Sequence, residues 1–334
     1  MAEKSSSKSC LGLGLSVLIL GAIVVITLFS YGTSRYGWKI YLEIFCHFQV
    51  QYFLLSLILM GILILLRRRF LILLGFFFCA LLSAQILPWY LPPAQLSSGA
   101  RLESALRVLI ANVNTQNKSY DKVINLVRSE TPDLAIFMEV DDAWKSQLDT
   151  LSDLLPHSSG QTNPYNLGIL VYSNLELGNP TIEFFGTENN ASVVTQITVA
   201  EQSVNLLATH PLPPAKSSFF QARNRQLDLV SQYIETLEGP VILAGDLNTT
   251  MWSPYYKRLV NKTRLNNARD DFGILPTWPT KGTYHRIPGW LTSLFLIPID
   301  HCLISSELDT TNIYTGADTG SDHRPLIVDL RFAS

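Results

Sequence analysis

Val241-Ile-Leu-Ala-Gly-Asp246-Leu-Asn248-Thr-Thr250 is an apolar run that stops abruptly at a glycine, a carboxylate and an amide. With no polar interruption it reads as a strand buried on both faces, as in a sheet covered on each side. Gly245 permits a close turn, and Asp246 and Asn248, two residues apart, point to the same side of the chain. An acidic acceptor therefore stands beside an amide able to donate to an anion. Alone, the motif also reads as an ordinary strand-to-turn boundary, because Asp, Asn and Gly are the usual turn residues. The other strand ends decide between the two.

Upstream, Phe219 to Leu237 has the pattern of a long amphipathic helix; its Arg223 and Arg225 read as members of a solvated face. Before it come Gly168–Tyr172, Thr181–Phe185, Ser192–Val199 and Ser203–Ala208, successive strands without helices between them, which implies antiparallel pairing. The last delivers Thr209-His210-Pro211. Further back, Leu106–Ala111 is strand-like and ends in Asn112-Val-Asn114, and Tyr120–Glu130 carries Val123, Ile124 and Val127 at helical spacing until Thr131-Pro132 stops it. Leu134–Met138 is a second buried strand ending in Glu139, and Asp142 to Leu155 reads as another helix. A carboxylate at the end of such a run is costly to bury unpaired, so Glu139 should meet a cation or open onto a cleft. Downstream, Ile297-Pro-Ile299 leads into a strand opening with Asp300-His301-Cys302, and Thr319-Gly-Ser321-Asp322-His323-Arg324-Pro325 precedes a closing strand, Leu326–Leu330.

Strand ends or turns thus present Asn112, Glu139, His210, Asp246 with Asn248, Asp300, and Asp322 with His323. This set is mostly oxygen donors with two imidazoles, without the thiolates or clustered histidines that zinc favours. A hard divalent cation suits it, Mg²⁺ first, with Mn²⁺ or Ca²⁺ as alternatives. The matching chemistry is attack of water on a phosphorus ester, with a base, an acid and a metal that offsets phosphoryl charge.

Taken in order, Asn112 after a strand, Glu139 after a strand, Thr-His210-Pro, Gly-Asp246-Leu-Asn248, Ile-Asp300-His and Ser-Asp322-His323-Arg-Pro resemble the endonuclease/exonuclease/phosphatase superfamily, over residues 106 to 332. The chain is similar in particular to bacterial membrane-anchored members, where Thr-Trp-Pro and Ile-Pro-Ile-Asp-His also occur. The resemblance implies the fold of DNase I, a four-layer α/β/β/α sandwich. It also implies roles: Glu139 as principal metal ligand, Asn112 holding the metal region, and Asp322 as a further ligand or partner of a metal-bound water. Asp246 would orient or deprotonate the attacking water and Asn248 would hold a phosphate oxygen. His323, oriented by Asp300, would contact phosphate or act as base, and His210 would serve as general acid or phosphate donor.

Blander readings exist for several positions. His210 before Pro-Leu-Pro-Pro also reads as a strand cap, and Asp300 as a structural partner of Arg286 or Arg324. His301 has opposite strand parity to Asp300 and should face away from the site. His157 and His285 read as solvated loop residues. Trp278, in a Thr-Trp-Pro turn, stays outside the catalytic set.

The first ninety residues are of another kind. Residues 11–30 carry no charge and are long enough to cross a hydrocarbon core of roughly 30 Å. No small-residue cleavage pattern follows, so the segment reads as a retained helix rather than a signal peptide. A second apolar run, about Phe53 to Leu66, starts earlier in the aromatic Tyr41–Tyr52 stretch and stops at Arg67-Arg68-Arg69; a third, Phe70 to about Leu87, ends in Pro88-Trp89-Tyr90. Lys4, Lys8 and the three arginines assign the cytoplasmic side, and three crossings put residue 90 onward outside. If the second and third runs form one re-entrant hairpin, that sidedness reverses.

Residues 1–100 carry seven basic against two acidic residues, and residues 101–334 carry 18 against 25. A domain at −7 lacks the basic surface expected for nonspecific grip on duplex phosphates. Of four cysteines only Cys302 lies beyond the apolar section, so the soluble part has no internal disulfide.

The expectation is therefore a multi-pass protein of the bacterial inner membrane. Residues 1–90 form the membrane section, 91–100 the linker and 101–334 a periplasmic catalytic domain. It would be a metal-dependent phosphoester hydrolase, a phosphodiesterase first. The substrate would be a lipid headgroup, a small phosphodiester or a nucleic acid, and the bilayer a partner. The alternatives are a nuclease outside the cytoplasm or a catalytically silent adaptor. Oligomeric state is not legible.

Overall fold

The computed structural model describes residues 2–37, 39–91, 105–186, 189–281, 283 and 287–333. His285 and Arg286 lie outside the described residues, as does the linker from residue 92. The chain divides into two compact units, Met1–Leu91 with Trp252–Pro254, and Pro92–Met251 with Tyr255–Ser334.

The first unit is helical: α1 (Ala2–Arg35), α2 (Ile40–Cys46), α3 (Gln49–Leu65) and α4 (Arg69–Ser83). Ile19, Ile23, Met60, Leu63 and Cys79 pack together among α1, α3 and α4. Within α1, Leu11–Arg35 is 25 residues with a mean hydropathy of 2.7, long and apolar enough to cross a membrane. The second expected span is a pair, α2 and α3, bent by 65° at their junction, and the third corresponds to α4, 15 residues long. At 1.5 Å per residue α4 reaches about 22 Å, short of a hydrocarbon core.

The second unit runs β1 (Leu106–Asn112), α5 (Tyr120–Glu130), β2 (Leu134–Met138), α6 (Asp142–Leu148), β3 (His157–Gln161), β4 (Ile169–Ser173), β5 (Gly178–Glu183), β6 (Ser192–Val199) and β7 (Gln202–Thr209). It continues with α7 (Ser217–Ile234), β8 (Val241–Asp246), α8 (Pro254–Thr263), β9 (Asn266–Asn267), α9 (Gly289–Thr292), β10 (Asp300–Ile304), β11 (Leu308–Thr315) and β12 (Leu326–Phe332). Two six-stranded sheets result, in the orders β11-β12-β1-β2-β4-β3 and β5-β6-β7-β8-β10-β9. Among the described residues, β1 with β2 and β7 with β8 pair in parallel and the other neighbours are antiparallel.

The apolar runs explain the layering. Alternate residues of β1 face opposite ways: Val108 and Ile110 join the core that also holds Val193, Leu206 and Ile242 of the second sheet. Leu109 and Ala111 pack instead with Val123 and Val127 of α5 and Trp144 of α6. A strand covered on both faces needs apolar residues at every position, and each such buried side chain contributes about 1.5–3 kcal/mol. This is the expected four-layer α/β/β/α sandwich.

Local signals set the helix ends. Thr131 takes a left-handed φ of 44° and closes α5 through its N–H on the Val127 carbonyl. The Asp141 side chain caps α6 by accepting the Trp144 N–H at 2.8 Å. Regular α-helix stops at Leu148 rather than continuing to Leu155, with one tighter turn over Asp149–Leu151. Two further expectations are corrected. Gly168–Tyr172 does not pair with the strand that follows it; β4 sits between β2 and β3 of the first sheet, and β5 opens the second. His157 lies in edge strand β3, half-buried, not in a loop.

Candidate active site

Strand register brings the polar ends together. Asn112 pairs with Met138 across the parallel β1–β2 ladder, so Glu139 emerges beside the amide. Asp246 pairs with Asp300 across β8 and β10, and β7, parallel to β8, ends one residue before His210. Asn112 is the hub: its Nδ2 donates to Glu139 Oε1 at 3.0 Å and to Asp246 Oδ2 at 3.2 Å, and stands 3.5 Å from His323 Nε2. Asp246 Oδ2 lies 3.5 Å from His210 Nε2 and 3.6 Å from His323 Nε2. Asp300 Oδ2 sits 2.9 Å from His323 Nδ1, fixing that ring, so among the described residues its partner is His323 rather than Arg324; Arg286 lies outside them. The Asn248 amide donates to the Pro211 carbonyl at 2.9 Å and lies 3.3 Å from His210 Nε2. The Asn114 amide donates to Asp322 Oδ1 at 2.7 Å. All eight sequence-nominated residues therefore fall within one connected cluster at the ends of the strands.

The backbone is bent to achieve this. Glu139, Asn248 and Asn114 have φ of 60°, 49° and 59°, a region non-glycine residues rarely occupy and one that concentrates at functional sites. Gly245, at φ 144°, would place a Cβ 2.0 Å from the Thr209 carbonyl oxygen; only glycine lets β7 and β8 approach here.

The electrostatics divide the cluster. Burial alone would lower the His323 pKa, but the charges of Asp300 and then Asp246 outweigh it and raise it to about 10. Burial pushes the Asp300 carboxyl up, while His323 outweighs this and brings it below its ordinary value, so the two form an ion pair. For His210, burial lowers the pKa and the Asp246 contact overrides it, leaving it raised. Glu139 moves the other way: burial holds its carboxyl above the usual range despite His210, Asn112 and His323. Its Oε2 is buried with no hydrogen-bond partner among the described residues. An orphaned carboxylate oxygen is what a missing cation would satisfy, so the donor set fits a hard divalent ion at Glu139. Asp246, Asp300 and His323 also offer ligand atoms within 4.8 Å of one another.

Three contributors escaped the sequence reading. Asn114 was visible as the second amide of Asn-Val-Asn, at the same strand parity as Asn112. Trp278, kept outside the set, donates its indole N–H to Asp322 Oδ2 at 3.3 Å. Arg223 is corrected outright: it is fully buried and donates to the Asn248 carbonyl at 2.8 Å, holding the loop after β8. Phe220, Leu227, Val230 and Ile234 are buried with it on α7, and that three-to-four spacing was the available signal. Arg225, off the stripe, is exposed, and His301 is buried away from the cluster, both as read from sequence.

The sandwich and its strand-end cluster are those of a phosphoester hydrolase. The pattern of the Endonuclease/Exonuclease/phosphatase family matches residues 109–323. The chain belongs to that family. Among solved structures it is similar to an endonuclease/exonuclease/phosphatase from Beutenbergia cavernae, at 18% identity over 70% of this chain and 72% of the other, TM-score 0.55. It is also similar to D. rerio TDP2 complexed with single strand DNA product (16%, 68% and 98%, TM-score 0.57) and to the human Nocturnin catalytic domain with bound sulfate anion (17%, 69% and 94%, TM-score 0.55). No curated protein matches the sequence.

Proposed function

We propose that the protein is a membrane-anchored, divalent-metal-dependent phosphodiesterase whose centre is built from Asn112, Glu139, His210, Asp246, Asn248, Asp300, Asp322 and His323. The observation that carries this reading is the Asn112 amide, which touches Glu139 and Asp246 while standing against His323. A carboxylate ready for a cation is thereby joined to a carboxylate between two imidazoles. Glu139, with Asn112 and Asp322, holds the ion, Mg²⁺ by the oxygen-rich donor set. When bound, that ion offsets the charge of the phosphoryl oxygens.

The remaining roles follow from proton positions. Asp300 and Asp246 keep His323 protonated in the resting site, so it serves as a cationic donor to a phosphoryl oxygen rather than as base. Asp246 orients the attacking water and takes its proton. His210, its proton favoured by the same carboxylate, and the Asn248 amide donate on the other side, at the phosphoryl oxygens or the leaving oxygen. D. rerio TDP2 with its single strand DNA product is in keeping with a diester substrate. The bilayer-length helix supports a membrane anchor, and the basic residues before it support a cytoplasmic N-terminus; several passes, with residues 101–334 as a catalytic domain on the periplasmic side, belong to the same proposal.

The test is turnover of bis-p-nitrophenyl phosphate, p-nitrophenyl phosphate and DNA by the full chain in detergent, with Mg²⁺ or Mn²⁺ and then with chelator. Glu139→Ala should cost at least about a thousandfold in kcat and weaken metal binding. Chelator-resistant turnover, or a Glu139→Ala protein of undiminished activity, would overturn the assignment.

A further inference from the structure

Between Trp278 and Ile297 the chain leaves the sandwich, and residues 279–281, 283 and 287–296 of that excursion are described. Its neck is closed by the Trp278–Ile297 bridge: the Trp278 N–H donates to the Ile297 carbonyl at 3.0 Å, and the Ile297 N–H returns at 2.6 Å. That neck is fastened to the catalytic segment. The Thr280 N–H donates to the Asp322 carbonyl at 2.9 Å, its hydroxyl to the Ser321 carbonyl at 2.8 Å, and the Arg324 N–H to the Thr277 carbonyl at 2.8 Å. With Trp278 on Asp322, whatever the excursion touches is brought to the lip of the site.

Its outer part is apolar and exposed. Ile287, Trp290, Leu294 and Phe295 lie on or beside α9 and the turn after it, with Trp290 69% and Leu294 55% exposed. Large apolar side chains clustered on a surface mark a contact site. The charge pattern names the partner. Residues 279–296 contain no Asp or Glu but hold Lys281 and Arg286, within a domain that is otherwise acidic. Of the two, Lys281 is described and packs against Gly289 at the start of α9; exposed tryptophan and aliphatic side chains beside a basic one are the signature of segments that lie in the headgroup layer of an anionic bilayer. The same chain carries a helix long and apolar enough to cross a membrane, in keeping with a lipid partner. An acidic domain with one short basic loop fits a nucleic-acid backbone less well.

Resting on the hydrolase reading above, we infer that the apolar segment 287–296 seats itself in an anionic lipid surface, and that the phosphoester hydrolysed belongs to a lipid headgroup. The neck then holds Asp322 and Asp300 in register with the surface the tip has entered.

The experiment uses the full chain in vesicles of phosphatidylcholine and phosphatidylglycerol, with tail-brominated phosphatidylcholine as quencher. The emission lost in Trp290→Phe, isolated as a difference from wild type, should be roughly halved by the brominated lipid. Trp290→Asp and Leu294→Asp should raise KM for phospholipid presented in those vesicles by roughly tenfold or more, while kcat/KM for soluble bis-p-nitrophenyl phosphate stays within about twofold. If Trp290→Asp loses both activities, Leu294→Asp decides. An unquenched difference signal, an unchanged lipid KM, no phospholipid turnover beside active diester turnover, or a selective loss of oligonucleotide cleavage overturns the inference and leaves the hydrolase standing. No turnover of any phosphoester, with quenching intact, sinks the hydrolase reading and the lipid substrate with it.

Discussion

Two histidines beside Asp300, one from the loop before β12 and one from β10, have opposite fates. His323 lies against two carboxylates, Asp300 at 2.9 Å and Asp246 at 3.6 Å, and its pKa rises to about 10. His301, the residue after Asp300 on β10, turns to the other face. There its Nε2 donates to the Thr249 carbonyl at 2.9 Å, while Asn267 and Arg269 approach Nδ1, each at 3.4 Å, and Tyr256 packs on the ring at 4.9 Å. Burial, and then the Arg269 charge, push its pKa down to about 3. Both rings are buried, so burial is not what separates them; the sign of the neighbouring charge is. One face of β10 carries the candidate site and the other holds the scaffold of the loop after β8.

The largest effect that can break this comparison is on turnover. His323→Ala should reduce kcat by roughly 10²–10⁴, measured well below an unfolding midpoint that also falls, because the buried Asp300 and Asp246 lose their cation at a cost of roughly 3–5 kcal/mol. Asp300→Asn, which leaves the ring but removes the charge that holds its proton, should cost less. A His323→Ala protein that keeps wild-type kcat would move this imidazole from the chemical face to the structural one.

The comparison also marks what was legible. Asp300 and His301 could be told apart by strand parity, and Glu139 and Asp246 stood out because each ends an apolar run that only a doubly covered strand needs. The sheets were equally readable wherever both faces are buried. Edge strands were not: β3, His-Ser-Ser-Gly-Gln, and β11, Leu-Asp-Thr-Thr-Asn-Ile-Tyr-Thr, have too few apolar residues to carry period two, and their pairing comes from neighbours far away in sequence. Helix α8, Pro-Tyr-Tyr-Lys-Arg-Leu-Val-Asn-Lys-Thr, buries only Tyr256 and Leu259, so its stripe is faint. Arg223 was misread for a different reason. Sequence habit puts arginine in water, whereas the carbonyl turned inward by the left-handed Asn248 and the Phe220 and Tyr255 rings give this one reasons to be buried.

Arg223 yields the second prediction, on the loop that both faces share. Arg223→Met removes the donor to the Asn248 carbonyl and the guanidinium set over Phe220 and Tyr255, at 5.5 and 5.8 Å from the ring centroids. Losing the bond to this half-buried carbonyl costs up to about 1–3 kcal/mol, and the loosened Asn248 should lower kcat as well. Arg225→Met, on the exposed side of the same helix, should stay within about 0.5 kcal/mol. Unfolding midpoints and diester kinetics of the pair measure this; equal effects would mean that Arg223 does not hold the loop.

The smallest expected effect is the dependence of stability on pH, and it separates the two histidines by sign. The folded pKa of His301, about 3, lies below the ordinary value of about 6.5, so between those limits the unfolded chain binds a proton that the native chain refuses. Its contribution is fully present above pH 6.5 and is lost as pH falls towards 3, reaching about 2 kcal/mol at pH 5. His323 acts in the opposite direction: its folded pKa of about 10 gives stability that is complete below pH 6.5 and fades as pH rises towards 10. Thermal midpoints of the full chain in detergent at pH 5 and pH 7.5 read the acid arm. His301→Gln keeps a donor for the Thr249 carbonyl but has no proton to gain, so its midpoint should fall less between those two pH values than that of wild type. An identical fall in both proteins would mean that His301 titrates freely, and that its face of β10 is not the closed, cation-lined scaffold described above.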